Sequence, residues 1–293
     1  MNPYYALKTI TILIFSNFMA CSAIKLEQDI ITEPVEISLD PYVSRLVTVN
    51  AVAGNDTLRL LFDTGGGKTF IGPDAAHRLG CMPSGRSVGF RMTGETVESQ
   101  YCHDISLSIG GVSFHHETIG VWDINKVLPE DLPRLDGILS LKTFQDQPFT
   151  LDLSSKRLIL ETKESLEDRT NTMTRLESRI ATGPDGSELD IFLRGKIGHS
   201  DDGWFLFDSG NLDVVLVSQH LVNKKLIDST ASSGIWESEL KLRNLSSVSI
   251  KFRTKKIIYD GALSEKFIRK WVFTFDISNN GVWVSPVENA SSE

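Results

Sequence analysis

LLFDTGG, at residues 60–66, decides the fold, because nearly the same pattern returns as FLFDSGN at residues 205–211. Each copy is an apolar run, typical of a buried strand, that ends in Asp, a hydroxyl residue and Gly. A buried carboxylate costs free energy unless it has a partner. The repetition therefore predicts that Asp63 and Asp208 are partners, and that one of them keeps its proton, since two adjoining carboxylates cannot both ionise.

The sequence around the two motifs is repeated as well. DGILS at residues 136–140 returns as DGALS at 260–264, and FTLDLS at 149–154 returns as FTFDIS at 273–278. The two Asp-hydroxyl-Gly motifs lie 145 positions apart, so the chain consists of two related halves, each about the length of a small domain. The interval between the motif and the Asp-Gly segment is longer in the first half, which predicts an added loop or hairpin there.

These residues resemble the aspartic peptidases, specifically the bacterial two-lobed retropepsin-like type of the pepsin and retropepsin clan, in its lipoprotein form. The resemblance covers roughly residues 40–286. It implies an all-β fold of two β-barrel lobes related by a pseudo-twofold axis, with a few short helices. The chain departs from the family pattern at four positions: Ser140 and Ser264 replace Gly, Ala262 replaces a larger aliphatic residue, and Asn211 replaces a small one.

The resemblance implies an aspartic endopeptidase that cleaves a peptide or protein substrate. Asp63 and Asp208 would share a proton, so that one acts as a base on a water molecule and the other acts as an acid. No cofactor and no metal is required, and a monomer suffices because both Asp residues are on one chain. The glycines of the two loops would allow tight turns, and by the resemblance the hydroxyls would lock the loops together. These active-site loop residues are Thr64, Gly65, Ser209 and Gly210.

The apolar stretch at residues 10–20 follows Lys8 and is too short to span a membrane, which is typical of the core of a signal peptide. The segment that begins at 163 is charged and polar without an apolar period, as expected of a linker. We therefore expect a signal peptide over 1–20, a flexible tether over 21–40, an N-terminal lobe over 41–162, a linker over 163–178, a C-terminal lobe over 179–287 and a tail over 288–293.

The three cysteines are interpreted separately. Residues 18–21 read FMAC, which resembles the lipobox of bacterial lipoproteins. In that interpretation Cys21 carries a lipid, and the exported protein is anchored to a bacterial membrane, facing the periplasm or the cell exterior; the alternative is an ordinary secretory signal cut nearby. In an oxidising compartment Cys81 and Cys102 can pair as a disulfide, and two buried free thiols are the alternative.

Residues 90–101 are predicted to form a hairpin that turns at Thr93 and Gly94. It falls inside the longer first half, where the resemblance implies a flexible flap that closes over the substrate. Met92, Thr93 and Gly94 are the candidate flap residues. The alternative is a plain edge hairpin.

Several other features argue against further sites. The net charge of −8 argues against a nucleic-acid partner. His115 and His116 point to opposite faces of a strand, so no metal site is predicted. The Asp residues of the later repeated segments are interpreted as turn or structural residues: Asp136, Asp260, Asp152 and Asp276.

Two functions of other classes stay open beside the peptidase. The first is a non-catalytic lipoprotein that keeps the aspartic-peptidase fold and binds extended peptides as an added strand. The second is a purely structural protein of the cell envelope.

Overall fold

The computed structural model of the protein describes residues 31–183, 185–223 and 234–287. Within these ranges the chain is nearly all β-structure, with four short α-helices. The strands of the first half are β1 (Val35–Ser38), β2 (Asp40–Pro41), β3 (Val47–Ala53), β4 (Asp56–Phe62), β5 (Phe70–Ile71), β6 (Ser84–Phe90), β7 (Thr96–Ile109), β8 (Val112–Val121), β9 (Gly137–Leu139), β10 (Phe149–Asp152) and β11 (Arg157–Leu160).

The second half continues the same pattern of short strands. Its strands are β12 (Thr174–Arg175), β13 (Ser178–Thr182), β14 (Leu189–Ile197), β15 (Gly203–Leu206), β16 (Val215–Ser218), β17 (Ile235–Leu242), β18 (Val248–Lys255), β19 (Gly261–Ala262), β20 (Trp271–Asp276) and β21 (Gly281–Pro286). The helices are α1 (Pro73–Arg78), α2 (Lys163–Thr170), α3 (Gln219–Asn223) and α4 (Glu265–Ile268).

The first lobe is a closed barrel in which β3, β4, β9, β5, β8 and β7 follow one another and β7 pairs back to β3. Two of its pairings, β4 with β9 and β5 with β8, are parallel. The β3–β4 hairpin turns at Gly54, whose φ of 59° lies in the left-handed region that glycine adopts without strain. Closure removes free sheet edges and surrounds an apolar interior.

The second lobe repeats this arrangement strand for strand. Its ring runs β14, β15, β19, β16, β18 and β17, and β17 pairs back to β14. The parallel pairings recur at the equivalent places, between β15 and β19 and between β16 and β18. The prediction of an all-β fold with two barrel lobes related by a pseudo-twofold axis is therefore confirmed.

A third sheet of six strands, in the order β1-β11-β10-β20-β21-β12, joins the lobes. At its centre the two copies of the repeated Phe-Thr segment pair with each other, since β10 runs antiparallel to β20. Thr150 lies opposite Thr274, with their hydroxyl oxygens 2.8 Å apart. Phe149 stacks on Phe275 at a ring distance of 4.9 Å. The sequence repeat thus meets itself on the pseudo-twofold axis.

Aromatic packing extends from this axis to the ends of the two motif strands. Phe144 contacts both Phe62 and Phe149, and Phe275 contacts both Phe149 and Phe207, with ring distances of 4.9 to 6.4 Å along the chain of contacts. Phe62 and Phe207 directly precede the two Asp residues. The buried rings therefore fix the strand ends that carry the carboxylates.

Two boundary segments differ from the expectation. β1 pairs with β11, so the prediction of a flexible tether over 21–40 is wrong for residues 35–38, whose backbone is held in the joining sheet. The segment 163–178 connects the lobes but contains α2 and β12. The predicted signal peptide, Cys21 and the tail over 288–293 lie outside the described residues. In the described ranges no helix has the length and apolar character needed to cross a membrane.

Candidate active site

Asp63 and Asp208 sit at equivalent places, each directly after the central motif strand of its lobe. Two structural carboxylates support those strands. The Asp136 carboxylate accepts the amide of Arg59 at 2.9 Å, and the Asp260 carboxylate accepts the amide of Trp204 at 2.9 Å. Each of these amides lies four residues before a motif Asp. Asp136 and Asp260 thus act as anchors for the strands that position the motif.

Asp152 and Asp276 also make local contacts. Asp152 accepts the amide of Ser155 at 3.0 Å, and Asp276 accepts the side-chain amide of Asn279 at 2.9 and 3.0 Å. Both carboxylates lie at the ends of the strands of the joining sheet. They stabilise turns there and take no part in the cleft.

The two motif loops are clamped together by reciprocal hydrogen bonds. Ser209 Oγ accepts the amide of Thr64 at 3.0 Å, and Thr64 Oγ1 accepts the amide of Ser209 at 2.8 Å. Each hydroxyl then donates to the carbonyl that precedes the other motif Asp, at 2.9 Å to Phe207 and 3.4 Å to Phe62. Thr64 and Ser209 are both buried, so these bonds are made without competition from water.

Glycine at the third motif position brings the carboxyls together. A Cβ on Gly65 would lie 2.5 Å from Cγ of Asp208, and a Cβ on Gly210 would lie 2.8 Å from Cγ of Asp63. Each loop therefore packs its bare backbone directly on the carboxyl group of the other lobe. The amide of Gly65 donates to Asp63 at 3.0 Å and that of Gly210 to Asp208 at 2.9 Å. Any larger side chain here would push the two acids apart.

The environment favours a shared proton. Burial raises the pKa of Asp63, and the backbone N–H groups of Gly65 and Gly210 oppose that rise. Burial raises the pKa of Asp208 well above its usual value, and the charge of Asp63 adds to the rise. Because each ionised carboxylate disfavours ionisation of the other, the pair titrates as a unit and retains a proton where isolated aspartates would both be charged.

Ser140 and Ser264 are integrated in the loops beside the two motifs. Ser140 caps the 3-10 turn at Leu141–Phe144 through the amide of Lys142, and its hydroxyl lies 3.1 Å from that of Thr69. Ser264 caps α4 in the same way, through the amide of Phe267. The serines thus occupy equivalent positions and begin equivalent helical turns.

Asn211 supports the second motif loop directly. Its backbone amide donates to Asp208 at 3.0 Å, and its side-chain nitrogen donates to the carbonyl of Leu263 at 3.2 Å. The carbonyl of Asn211 accepts the amide of Glu265 at 3.0 Å. The Glu265 carboxylate is buried and ion-paired with both Arg45 and Arg269. This loop is therefore tied to the first lobe, from which Arg45 comes.

The candidate flap is a hairpin of β6 and β7 that reaches across the cleft. Its turn is closed by a bond from the amide of Arg91 to the carbonyl of Glu95, with Gly94 at a φ of 85°. The carbonyl of Met92 accepts the amide of Ile258 in the second lobe at 3.0 Å. Met92 also packs against the apolar cluster around Phe192 and Leu206. The flap therefore covers the carboxyl pair and contacts both lobes.

The structure joins Cys81 and Cys102 in a disulfide, with Cα atoms 5.9 Å apart. This bond links the segment after α1 to β7 and lies at the base of the flap hairpin. His116, on β8, is buried, and burial lowers its pKa to about 4. His115 is paired loosely with Asp104, at 3.7 Å.

The carboxyl pair opens into a cleft of about 730 Å³ between the lobes. The cleft wall includes residues that the motif analysis missed, notably Glu188, Asp190, Ile258 and Tyr259. Burial raises the pKa of Asp190 to about 7, and the charges of Glu188 and Asp63 contribute to the rise. None of these residues belongs to a repeated motif. Only the pairing register of β14 with the second motif strand could have indicated Asp190.

The fold resembles that of two plant seed proteins. Basic 7S globulin from soybean aligns with a TM-score of 0.54 at 10% identity, over 86% of this chain and 95% of that chain. Conglutin gamma, a unique basic 7S globulin from lupine seeds, aligns with a TM-score of 0.54 at 10% identity, over 87% of this chain and 95% of that chain. No protein-family model matches the sequence, and no curated protein matches it.

At this level of identity the likeness shows the fold alone, which is a two-lobed pepsin-like fold. The assignment to the bacterial retropepsin-like type, in its lipoprotein form, is wrong by this comparison, because these two matching structures are seed globulins of the two-lobed fold. The motifs could not identify the type of protein, for a physical reason. A doubled Asp-hydroxyl-Gly motif reports how two barrel lobes meet, and it does not distinguish the types of protein that use this arrangement.

Proposed function

We propose that this protein is an aspartic endopeptidase in which Asp63 and Asp208 activate one water molecule. The observation that carries the proposal is that the carboxyl groups of Asp63 and Asp208 each lie against the motif glycine of the other lobe, and both line one cleft. Catalytic acids and bases are found where burial and a like-charged partner shift pKa values, and both conditions hold here.

The proposed reaction uses one proton shared by the pair. The ionised carboxylate takes a proton from water while the oxygen attacks the peptide carbonyl carbon, and the protonated carboxyl donates its proton to the carbonyl oxygen. The tetrahedral diol then collapses: one of its hydroxyls gives its proton to the carboxylate that is now ionised, the C–N bond breaks, and the nitrogen takes the proton of the other carboxyl. The products are a carboxylic acid and an amine, and the pair again holds one proton. The covering flap would exclude bulk water and hold the substrate extended.

A cleavage assay on a mixed peptide library tests the proposal. We expect cleavage by the unmodified chain and loss of at least about a thousandfold in Asp63→Asn and in Asp208→Asn, as for removal of an essential acid or base. Asp213→Asn is the matched control, since Asp213 also lines the cleft but is paired with Arg253 at 3.0 Å. Full activity in either dyad variant would contradict the proposal.

The second candidate is a non-catalytic protein that binds extended peptides, and one observation favours it. The flap is hydrogen-bonded to the opposite lobe through Met92 and Ile258, so the cleft is covered before any peptide enters. This candidate predicts that peptides bind but are not cleaved at any pH from acid to neutral. The cleavage assay on the same peptide library therefore distinguishes it from the peptidase.

We also propose, from the sequence at residues 8–21, that the chain is exported and lipid-anchored outside the cytoplasm. A monomer suffices for the proposed reaction, because both Asp residues are on one chain. In bacterial expression the unmodified chain should fractionate with membranes and incorporate labelled fatty acid. The variant Cys21→Ser should do neither. Equal lipid labelling of the unmodified chain and the Cys21→Ser variant would contradict a lipid anchor on Cys21. Equal release of both proteins in soluble form would support an ordinary secretory signal.

A further inference from the structure

Asp190 is a third carboxyl beside the catalytic pair, and it comes from the strand next to the second motif strand. In the antiparallel pairing of β14 with β15, Phe192 lies opposite Leu206. The amide of Phe207 donates to the carbonyl of Ile191 at 2.8 Å, which continues the same register. One step further, Asp190 lies opposite Asp208. The carboxyl therefore borders the reaction centre at the cleft wall.

The position breaks the pseudo-twofold symmetry of the molecule. In the first lobe Thr48 lies opposite Leu61, and the same register places Leu46 opposite Asp63. Leu46 is buried in an apolar cluster. Leucine therefore fills this position well, and packing does not require a charged residue here. The second lobe instead places a carboxylate here, facing the cleft.

The carboxyl of Asp190 makes no hydrogen bond and no ion pair with the described residues. Its charged neighbours are acids, since the charges of Glu188 and Asp63 act on it and it acts in turn on Asp208. Gly67 leaves the approach open, because a Cβ there would lie 3.4 Å from Asp190 Oδ1. A mostly buried carboxylate among like charges is stabilised by an entering cation.

The nearby lysine is already engaged elsewhere. The ammonium of Lys68 lies 3.6 Å from Glu188 and donates to Ser87 at 3.2 Å. It also lies 4.9 Å from the ring centre of Tyr101. Lys68 is thus paired with Glu188 and makes no ion pair with Asp190.

The wall beside Asp190 suits a long aliphatic stem. Phe192 and Tyr259 pack edge to face at a ring distance of 5.1 Å, within an apolar cluster that also includes Leu216. A lysine or arginine side chain can lay its methylene groups on apolar surface while its charged head reaches a carboxylate. The site thus offers both parts of such a contact.

We propose that Asp190 is a specificity-determining residue, which accepts the charged head of a lysine or arginine of the bound peptide. The inference rests on the proposed use of the cleft as a peptide site, although it does not require cleavage. Asp190 is not assigned a step in the reaction.

The test compares peptides that differ only by lysine or norleucine at one position, scanned along the sequence, at about pH 8, where the carboxyl is ionised. Binding is measured by titration calorimetry with the full chain and with the variants Asp190→Asn and Asp190→Leu. We expect a lysine preference of about tenfold or more at one position in the unmodified chain. The preference should be lost in both variants and retained in the control Asp213→Asn.

The outcomes separate the two proposals. Equal affinity for both peptides, or a lysine preference that survives in Asp190→Asn, would overturn the role of Asp190. Lysine-selective binding without any cleavage would overturn the peptidase proposal and leave this one standing. A circular-dichroism melt of each variant shows whether it is folded, and the leucine variant has the buried residue that the first lobe already tolerates at the equivalent position.

Discussion

Thr64 and Ser209 hydrogen-bond to each other's backbone amides across the lobe boundary, at 3.0 and 2.8 Å. Neither lobe alone could complete these bonds, because each hydroxyl needs the amide of the opposite loop. The clamp therefore couples the formation of the carboxyl pair to the docking of the two barrels. Stability of the lobe interface and geometry of the site depend on the same two side chains.

Replacing Thr64 by Val should lower both stability and activity. The substitution keeps the shape but leaves the buried amide of Ser209 and the carbonyl of Phe207 without their partner. Each unsatisfied buried group costs about 1–3 kcal/mol, so with two such groups we expect the free energy of unfolding to fall by about 2–6 kcal/mol. Urea unfolding followed by tryptophan fluorescence measures this loss, and peptide cleavage measures the effect on the site.

Thr274→Val is the matched control for that experiment. Thr274 is also buried on the pseudo-twofold axis, and its hydroxyl lies 2.8 Å from that of Thr150, but it is in the joining sheet. It should lose comparable stability while cleavage by the folded protein stays near normal. Equal loss of cleavage in the two valine variants would argue that the clamp has no specific effect on the carboxyls.

Much of the fold could be predicted because the repeated segments are themselves contact surfaces. The two Phe-Thr segments pair through Thr150 and Thr274, and the two motifs interlock through Thr64 and Ser209. A repeat whose copies bind each other constrains the arrangement of the lobes strongly. The register of short alternating strands is not constrained in this way, and Asp190 depends on that register. Its position beside Asp208 therefore could not be predicted from the motifs.

The helix α2 was missed for a different physical reason. It buries one apolar side chain, Leu166, so it carries no apolar period. Its stability comes from polar contacts: Thr162 and Ser165 form a capping box, and the buried carboxylate of Glu161 is ion-paired with Arg169. Such contacts involve few residues and resemble ordinary linker composition in the sequence.

Asp190→Asn should change how stability depends on pH. Burial raises the pKa of Asp190 to about 7 from the usual 3.8, so the folded state holds a proton that the unfolded chain releases. Its stabilising contribution is present below about pH 4 and is lost as the pH rises through 7. The asparagine side chain does not titrate and cannot lose this contribution. We therefore expect the free energy of unfolding of the variant, relative to that of the unmodified chain, to rise by at most about 4 kcal/mol between pH 4 and pH 8.

The difference between the two proteins reports Asp190 together with its electrostatic coupling to the carboxyl pair. Asp63 and Asp208 have raised pKa values and act in the same direction, while the buried His116, with its lowered pKa of about 4, favours folding at higher pH. The contribution of His116 is common to both proteins and cancels in the difference between their urea midpoints, whereas the variant also lacks the charge that Asp190 exerts on Asp208. A difference that is constant from pH 4 to pH 8 would show that Asp190 titrates normally.

Reduction of the disulfide should destabilise the first lobe. Cys81 and Cys102 are separated by 21 positions. Closing a loop of this size lowers the conformational entropy of the unfolded chain and raises its free energy by about 3 kcal/mol. We expect the urea midpoint to fall when dithiothreitol is added. The double variant Cys81→Ser, Cys102→Ser should be destabilised to the same extent and should not respond to the reductant. An unchanged midpoint on reduction would contradict a stabilising role.

The bond between the flap and the second lobe can be removed with one substitution. Ile258→Pro lacks the amide that donates to the carbonyl of Met92, whereas Ile258→Ala keeps it. Ile258 is exposed, so neither substitution removes a core contact. A hydrogen bond contributes about 0.5–1.5 kcal/mol, so the population with an open flap should rise by about three- to tenfold in the proline variant alone.

Arg91, at the turn of the flap, provides the readout. Limited trypsin treatment with mass spectrometry measures the rate of cleavage after Arg91. Equal rates in the proline and alanine variants would mean that this bond does not hold the flap, and that the packing of Met92 against the second lobe closes the cleft instead.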